Sequence, residues 1–153
     1  MLVADPLRLH PDKAVSVGVI VNELVSNACK YAYGAGEAGE VRVSLRQIGD
    51  STVELAVEDD GPGLPEDQRE AALQRGSRMD ETTPGSGLGL ALVDELARAY
   101  GGSLTLGDSA MGGLKVDIVL PRAARIGLPA YSNEVILMLK ASSLASTVTL
   151  LEL

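Results

Sequence analysis

The chain has 153 residues, of which 46% are hydrophobic and 22% are charged, and its formal net charge is −8 at neutral pH. This length allows one domain with its own core, and the acidic balance argues against a general nucleic-acid-binding surface. Because the chain has no Phe and no Trp, its core must be largely aliphatic. A single cysteine, Cys29, excludes an internal disulfide and indicates a reducing compartment.

One long helix and a hairpin are predicted in the first half of the chain. Apolar residues three and four positions apart predict a helix from about Pro11 to Tyr33, which the glycine-rich segment 34–39 ends. Alternating apolar and polar residues at 41–47 and again at 52–59 predict two strands. Because only a short turn separates these strands, we expect them to pair as a β-hairpin.

A short helix, a longer helix and two further strands are predicted in the second half. Their order after the first helix and the hairpin predicts an α+β fold, a two-layer sandwich in which helices cover one face of a mixed sheet. The predicted elements are a loop at 61–65, a short helix at 66–74, a mobile loop at 75–87, a helix at 88–100 and strands at 103–107 and 114–121.

The first helix carries polar residues that an ordinary solvent-facing surface does not favour. Glu23, Asn27 and Lys30 fall on one stripe, expected opposite to the apolar face, and Tyr31 lies at its edge. Asn is a poor former of helix interiors, so a solvated face would favour Glu, Lys, Gln or Arg instead. An amide oxygen can bind Mg²⁺, a carboxylate can orient a hydroxyl, and an ammonium can contact phosphate. The stripe is therefore either a solvated face or a ligand site.

Asp59 is the second unusual position, because it continues the inward-pointing row of the strand at 52–59. At least part of its side chain should then be buried, and a buried carboxylate needs hydrogen-bond donors, such as the amino group of adenine. Gly61 and Gly63 follow it and allow close approach of the backbone. The alternative is an ordinary turn of Asp, Gly and Pro.

The third feature is a glycine-rich start to the helix at 88–100. Gly85, Gly87 and Gly89 alternate there, and backbone N–H groups at such a helix start can bind an anion. The spacing is neither the dinucleotide-binding fingerprint nor a Walker A loop, which ends in Gly-Lys-Ser/Thr.

Taken in order, these motifs resemble those of the ATP-binding catalytic domain of sensor histidine kinases, within the ATPase superfamily shared with DNA gyrase, Hsp90 and MutL. NELVSNACKYAY at 22–33 resembles the N box, DDGPGLP at 59–65 the first glycine box, and GSGLGLAL at 85–92 the second. SAMGGLKVDIVLP at 109–121 resembles the third, in which two glycines precede the last strand. The resemblance covers about residues 10–122 and implies a Bergerat-type ATPase fold.

The resemblance also implies a role for each polar residue of the first helix. Asn27 matches the Mg²⁺ ligand, and Glu23 matches the position that polarises the attacking group. Lys30 matches a phosphate contact, and Tyr31 matches a residue that packs on adenine. Asn22 either lines the site or caps a neighbouring backbone group.

The glycine boxes and the loop between them are implied to enclose the nucleotide. Asp59 matches the carboxylate that reads the adenine amino group, and Gly61 and Gly63 shape its pocket. The loop from Arg75 to Ser86 matches the ATP lid. The residues implied to contact the phosphates are Arg75 and Arg78 in the lid and Gly85, Gly87, Leu88 and Gly89 in the following turn.

The implied activity is transfer of the ATP γ-phosphoryl group to a histidine on a separate domain of a two-component system, with ATP and Mg²⁺ as cofactors. His10, the one histidine, is expected to be structural or exposed, so this chain alone should bind ATP without phosphorylating itself. The expected partners are a dimerisation and phosphoacceptor domain and a response regulator, and no nucleic acid. The expected location is the cytoplasm, with the cytoplasmic portion of a membrane-bound sensor as an open alternative. Two alternatives stay open: a serine protein kinase of the anti-sigma-factor type, and a nucleotide-binding module without catalysis.

We expect the ATPase-like domain to occupy residues 1–125 and a tail of different character to occupy 126–153. From 135 to 153 the tail is apolar, and Lys140 and Glu152 are its only charged residues. It resembles a segment of amino-acid ABC-transporter permeases, which is consistent with a fusion, an artefact of the reading frame, or a helix that packs on a partner. Packing on this domain or on a partner, disorder, and membrane insertion are alternatives for this segment, and an exposed apolar helix of this kind would favour homo-oligomers.

Overall fold

Five strands and three helices are present in the part of the protein that the computed structural model describes. This part comprises residues 1–7, 9, 11–34, 36–74 and 89–121, with Asp12 described by its backbone alone. His10, the predicted loop at 75–87 and the predicted tail at 126–153 lie outside it. In chain order the elements are β1 (Leu2–Ala4), α1 (Pro11–Tyr31), β2 (Val41–Ile48), β3 (Thr52–Asp59), α2 (Glu66–Ala72), α3 (Gly89–Ala99), β4 (Ser103–Asp108) and β5 (Leu114–Pro121).

The strands form one mixed sheet in the order β1-β2-β3-β5-β4. Strand β1 runs parallel to β2, and the other three neighbouring pairs are antiparallel. In the hairpin of β2 and β3, Val41 lies opposite Asp59 and Ile48 lies opposite Thr52, as the alternating patterns predicted. The prediction of an α+β fold with a mixed sheet is therefore confirmed.

Strand β1 is the element that the sequence patterns did not predict. The backbone N–H of Val43 donates to the carbonyl of Met1 at 2.8 Å, and the N–H of Asp5 donates to the carbonyl of Leu45 at 2.9 Å. The strand is three residues long and exposed throughout, so it has no alternation of buried and exposed positions from which it could be predicted.

The hydrophobic core lies between the sheet and helices α1 and α3. Leu55 and Ile118 pair across β3 and β5, and both belong to one buried cluster with Ile20 of α1 and Val93 of α3. Burying an aliphatic side chain of this size contributes about 1.5–3 kcal/mol. The same inward-facing row of β3 ends at Asp59, so the sheet carries a carboxylate to the edge of the core.

Helices α1 and α3 pack side by side in opposite directions. Near the start of α1, the hydroxyl of Ser16 lies 2.7 Å from that of Tyr100, just after α3, whereas Asn27 near the end of α1 faces Gly89.

Lys13 at the start of α1 contacts the end of β5. Its Nζ atom donates to the carbonyl of Pro121 at 3.0 Å, and desolvation by burial lowers the pKa of this lysine. In the described ranges, no helix combines the length and apolar character needed to cross a membrane.

Candidate active site

Glu23 and Asn27 lie one turn apart on the side of α1 that packs against α3. Glu23 is only 8% exposed and Asn27 is half-buried, and the same buried arc contains Ile20, which is fully buried. The expectation that this polar stripe lies away from the core is therefore wrong for these two residues. The cause is tertiary, because α3 covers a side of α1 that would face solvent in an isolated helix.

Gly89, the first residue of α3, makes the closest approach to this pair. A Cβ atom at residue 89 would lie 3.1 Å from Glu23 Oε2 and 3.3 Å from Asn27 Nδ2, which is tighter than ordinary van der Waals contact. Glycine at this position thus lets the start of α3 come close to both polar side chains. The second glycine box and the N box meet here, although they are about 60 residues apart in the chain.

Glu23 is a desolvated carboxylate with an opposing charge nearby. Burial raises the pKa of Glu23 above its ordinary value, and the positive charge of Lys30 partly offsets that shift. Neither Glu23 nor Asn27 hydrogen-bonds to any other residue in the part of the chain that is described. Neither side chain is among the fully buried polar groups that lack a partner, so in the described part of the chain their oxygens stay accessible to a ligand.

Asp59 is buried at the end of β3 and is held by two backbone donors. Its Oδ1 atom accepts the N–H of Gly61 at 3.0 Å and the N–H of Leu114 at 3.1 Å. The residue is 7% exposed, as the alternation of β3 predicted. Among the residues that the structure describes, no donor is found for Oδ2, so one oxygen positions the carboxylate while the other can accept a further hydrogen bond.

Gly61 and Gly113 adjoin this carboxylate, and Gly63 lies against Gly113. A Cβ atom at Gly61 would lie 2.5 Å from the Cβ atom of Ala32, so this position packs directly against the residue that follows α1. Gly63 has a φ of 71°, a conformation that L side chains rarely adopt. A Cβ atom at Gly113 would overlap Asp59 Oδ1 and lie 2.6 Å from the backbone nitrogen of Gly61. Gly113 was not among the predicted site residues, although the pair of glycines before β5 was the signal for it.

The remaining predicted residues differ in what the structure says of them. Lys30 is exposed, and Tyr31, four residues after Asn27, is 49% exposed. Asn22 is exposed on α1. Five predicted phosphate-contacting residues lie outside the described part of the chain, namely Arg75, Arg78, Gly85, Gly87 and Leu88.

Arg69 of α2 is a further residue that the sequence patterns missed. Its Nε atom donates to the carbonyl of Leu64 at 3.0 Å, and its Nη2 atom pairs with Asp108 at the end of β4. The arginine thereby ties the loop of the first glycine box to the β4–β5 hairpin. No local sequence pattern predicts these contacts, because the two partners of Arg69 are 5 and 39 residues away from it in the sequence.

A known protein family shares this arrangement of motifs. Residues 12–124 match the family described as Histidine kinase-, DNA gyrase B-, and HSP90-like ATPase. The chain belongs to this ATPase family. All four motifs lie within the matched residues, and the predicted family and fold are confirmed. The domain boundary predicted at residue 125 stays a prediction.

Sensor kinases are prominent among the similar proteins. Sensor protein kinase CarS of Pseudomonas aeruginosa is 46% identical over 124 residues, which are 78% of this chain and 26% of CarS. Sensor protein PhoQ of Escherichia coli K12 is 37% identical over 103 residues, which are 67% of this chain and 20% of PhoQ. Among solved structures, the mycobacterial sensor histidine kinase MprB superposes with a TM-score of 0.65 at 34% identity, covering 78% of each chain.

The chain spans about a quarter of the length of CarS and about a fifth of that of PhoQ. CarS is named as a sensor protein kinase, PhoQ as a sensor protein and MprB as a sensor histidine kinase.

Proposed function

We propose that this chain is the ATP-binding catalytic domain of a two-component sensor histidine kinase, which transfers the γ-phosphoryl group of ATP to a histidine on a separate domain. The observation that carries this proposal is the approach of Glu23 and Asn27 to Gly89 at the start of α3. It sets a carboxylate and an amide beside a helix N-terminus, where anions are favoured. Phosphoryl transfer needs such positioned groups more than it needs covalent chemistry from the protein.

Asp59 is proposed to read the adenine ring. Its Oδ1 atom is already occupied by two backbone donors, and its Oδ2 atom would accept a hydrogen from the exocyclic amino group. Guanine carries an oxygen at the corresponding ring position, which would face the carboxylate without a proton. The buried carboxylate should therefore favour ATP over GTP, because an unpaired polar contact at this depth is costly.

The donor set at Glu23 and Asn27 fits Mg²⁺. Mg²⁺ prefers oxygen ligands and usually takes only one or two from the protein, leaving the others to phosphate oxygens and water. Asn27 offers an amide oxygen that hydrogen-bonds to no described residue, so we assign it as the metal ligand. When bound, the ion neutralises charge that develops on the phosphate oxygens.

Glu23 is proposed to polarise the attacking histidine. Its desolvated carboxylate has a raised pKa and is therefore a better proton acceptor near neutral pH than an exposed glutamate. A carboxylate in this role would accept the N–H of the imidazole ring while the other ring nitrogen attacks phosphorus. Such proton transfer typically accelerates a reaction about 10²–10⁴-fold.

The other predicted contacts complete the proposed nucleotide site. Lys30 would contact the phosphates and Tyr31 would pack on adenine, and both have enough exposure to reach a ligand. Arg75, Arg78 and the glycine turn at 85–89 are proposed as phosphate contacts. The proposed protein partners are a dimerisation and phosphoacceptor domain and a response regulator, and the proposed location is the cytoplasm, where ATP is available.

A reconstituted transfer reaction tests this function. The chain is mixed with γ-labelled ATP, Mg²⁺ and a separately expressed dimerisation and phosphoacceptor domain of a sensor kinase. We expect label on that domain in an acid-labile, base-stable form, as phosphohistidine is, and no label on the chain alone. Asn27→Ala is the negative control, and the acceptor domain with its histidine replaced by Gln is the second.

The same reaction separates the alternatives. Acid-stable label on a serine would favour the anti-sigma-factor type of kinase. ATP binding in a calorimetric titration, with no transfer to several acceptor domains, would favour a nucleotide-binding module. An absence of any ATP binding would refute the proposed function.

A further inference from the structure

Tyr33, Glu40 and Asp60 form a hydrogen-bonded cluster, here called the tyrosine clasp, beside the carboxylate of Asp59. The hydroxyl of Tyr33 lies 2.7 Å from Asp60 Oδ1 and 2.8 Å from the carbonyl oxygen of Glu40. The same Oδ1 atom accepts the backbone N–H of Glu40 at 2.9 Å. The tyrosine clasp therefore joins three parts of the chain: the segment after α1, the start of β2 and the end of β3.

The aromatic ring of Tyr33 lies against the backbone of Gly39. A Cβ atom at residue 39 would overlap three carbon atoms of the ring, so only glycine allows this packing. The ring and its hydroxyl together hold the connection between α1 and β2 against the end of β3. A tyrosine without a structural role would need neither a glycine that leaves room for its ring nor two hydrogen-bond acceptors near its hydroxyl.

The charges of the tyrosine clasp agree with its geometry. The hydrogen bonds from Tyr33 and from the Glu40 N–H lower the pKa of Asp60. Desolvation and the hydrogen bond to Asp60 raise the pKa of Tyr33 to about 12. The phenol thus stays protonated at neutral pH and donates to a carboxylate that stays charged, which is a charge-assisted hydrogen bond.

This cluster adjoins the proposed adenine site through consecutive residues. Asp60 lies between Asp59, the proposed adenine-reading residue, and Gly61, whose N–H donates to Asp59 Oδ1. Gly61 packs against Ala32, the residue directly before Tyr33. The segment that follows α1 therefore contacts the 59–61 segment twice, at Ala32 and through the hydroxyl of Tyr33.

We propose that Tyr33 and Asp60 are positioning residues that hold the carboxylate of Asp59 in the orientation that accepts the adenine amino group. This inference rests on the proposed ATP site. Neither side chain needs to touch the nucleotide, because both act through the backbone of the 59–61 segment. The effect belongs to the adenine end of the ligand, so it is the same for ATP and ADP.

Calorimetric titration of ATP and of ADP into single variants tests the proposal. We expect Tyr33→Phe and Asp60→Ala to raise both dissociation constants about three- to tenfold, by the same factor with and without Mg²⁺. Asp60→Asn keeps a carbonyl oxygen for both donors, so its affinity should stay within about twofold of the natural chain. Asp50→Ala, at the exposed turn between β2 and β3, is the matched control and should change neither constant.

Amide hydrogen exchange gives a second readout that a merely stabilising role would not move selectively. The N–H groups of Gly61 and Leu114 donate to Asp59 Oδ1, and their exchange should become faster in Tyr33→Phe and Asp60→Ala while that of core strands is unchanged. Asp60→Asn should retain the protection of the natural chain.

Two outcomes would overturn the inference while leaving the proposed function intact. One is that the natural chain binds ATP and Asp59→Asn weakens binding, yet Tyr33→Phe and Asp60→Ala bind like the natural chain. The other is that both variants lower the melting temperature without changing exchange at Gly61 and Leu114. Absence of ATP binding by the natural chain would instead refute the proposed function itself.

Discussion

The backbone of Gly113 lies against the carboxylate of Asp59 so closely that residue 113 has no room for a side chain. A Cβ atom at residue 113 would overlap Oδ1 of Asp59 and lie 2.5 Å from the backbone carbonyl oxygen of Asp59. The neighbouring N–H of Leu114 donates to that Oδ1 atom at 3.1 Å. The backbone of the third glycine box, at Gly113 and Leu114, therefore orients the carboxylate of Asp59 in the first glycine box.

Gly113→Ala should displace the carboxylate of Asp59 and weaken ATP binding at least tenfold. The forced shift of a packed backbone should also cost about 1–3 kcal/mol of stability. ATP titration and thermal unfolding measure the two effects. Gly107→Ala in β4 is the matched control, because a Cβ atom at that position meets nothing within 4 Å. Equal ATP affinity in the two variants would contradict the role assigned to Gly113.

Gly89→Ala should slow phosphoryl transfer by about tenfold or more and weaken ATP binding less. The added methyl group would lie 3.1 Å from Glu23 Oε2 and would push apart the groups that we propose to act at the phosphates. Transfer to a separate phosphoacceptor domain, measured at saturating ATP, reports the change. Gly18→Ala on the open side of α1 is the control, and it should keep activity and add roughly 0.5–1 kcal/mol of helix stability. A fully active Gly89→Ala protein would show that this close approach does not matter for transfer.

Glu23→Gln should abolish transfer and yet stabilise the fold at neutral pH. The folded-state pKa of Glu23 is raised above its ordinary value of 4.5 by burial, so keeping this group charged disfavours the folded state. That penalty is present above the folded-state pKa and is relieved as pH falls through it towards 4.5. Gln carries no such penalty, so the variant should melt a few degrees higher at neutral pH.

The pH dependence of melting gives the check on this prediction. The advantage of Glu23→Gln over the natural chain should shrink as the solution is acidified through the folded-state pKa of Glu23. Glu70→Gln, on the exposed surface of α2, is the control and should melt like the natural chain. A neutral-pH melting temperature that falls in Glu23→Gln would mean that Glu23 is structurally satisfied rather than held for function.

Asn27→Ala and Asp59→Asn should separate the two ends of the nucleotide. Asn27→Ala should remove Mg²⁺-dependent transfer and make ATP affinity insensitive to Mg²⁺, since it deletes the proposed metal ligand. Asp59→Asn should weaken the binding of ATP and of ADP alike by about tenfold or more, because it removes a hydrogen bond to a charged group. Titrations with each nucleotide, with Mg²⁺ or with a chelator, distinguish these patterns. Unchanged affinity in both variants would refute the pocket assignment.

Much of the fold was predictable because local patterns survive in the folded chain. The alternation at 52–59 correctly predicted both strand β3 and the burial of Asp59, since successive strand residues face opposite sides of the sheet. The glycines also predicted where helices end and loops begin. Helix α1 ends at Tyr31, within two residues of its predicted end. The ordered motifs then identified the ATPase family, which the match over 12–124 confirms.

Contacts between distant segments were not predictable, and they decide the geometry of the candidate site. From the sequence alone Glu23 and Asn27 belonged to an outward stripe, and only the packing of α3 on α1 shows that they face Gly89. The hydrogen bond of Leu114 to Asp59 spans 55 residues, and that of Tyr33 to Asp60 spans 27. A local pattern reports which side of its own helix or strand a residue occupies. Which other element covers that side is set by packing the whole chain, because burial is shared between segments that the sequence keeps apart.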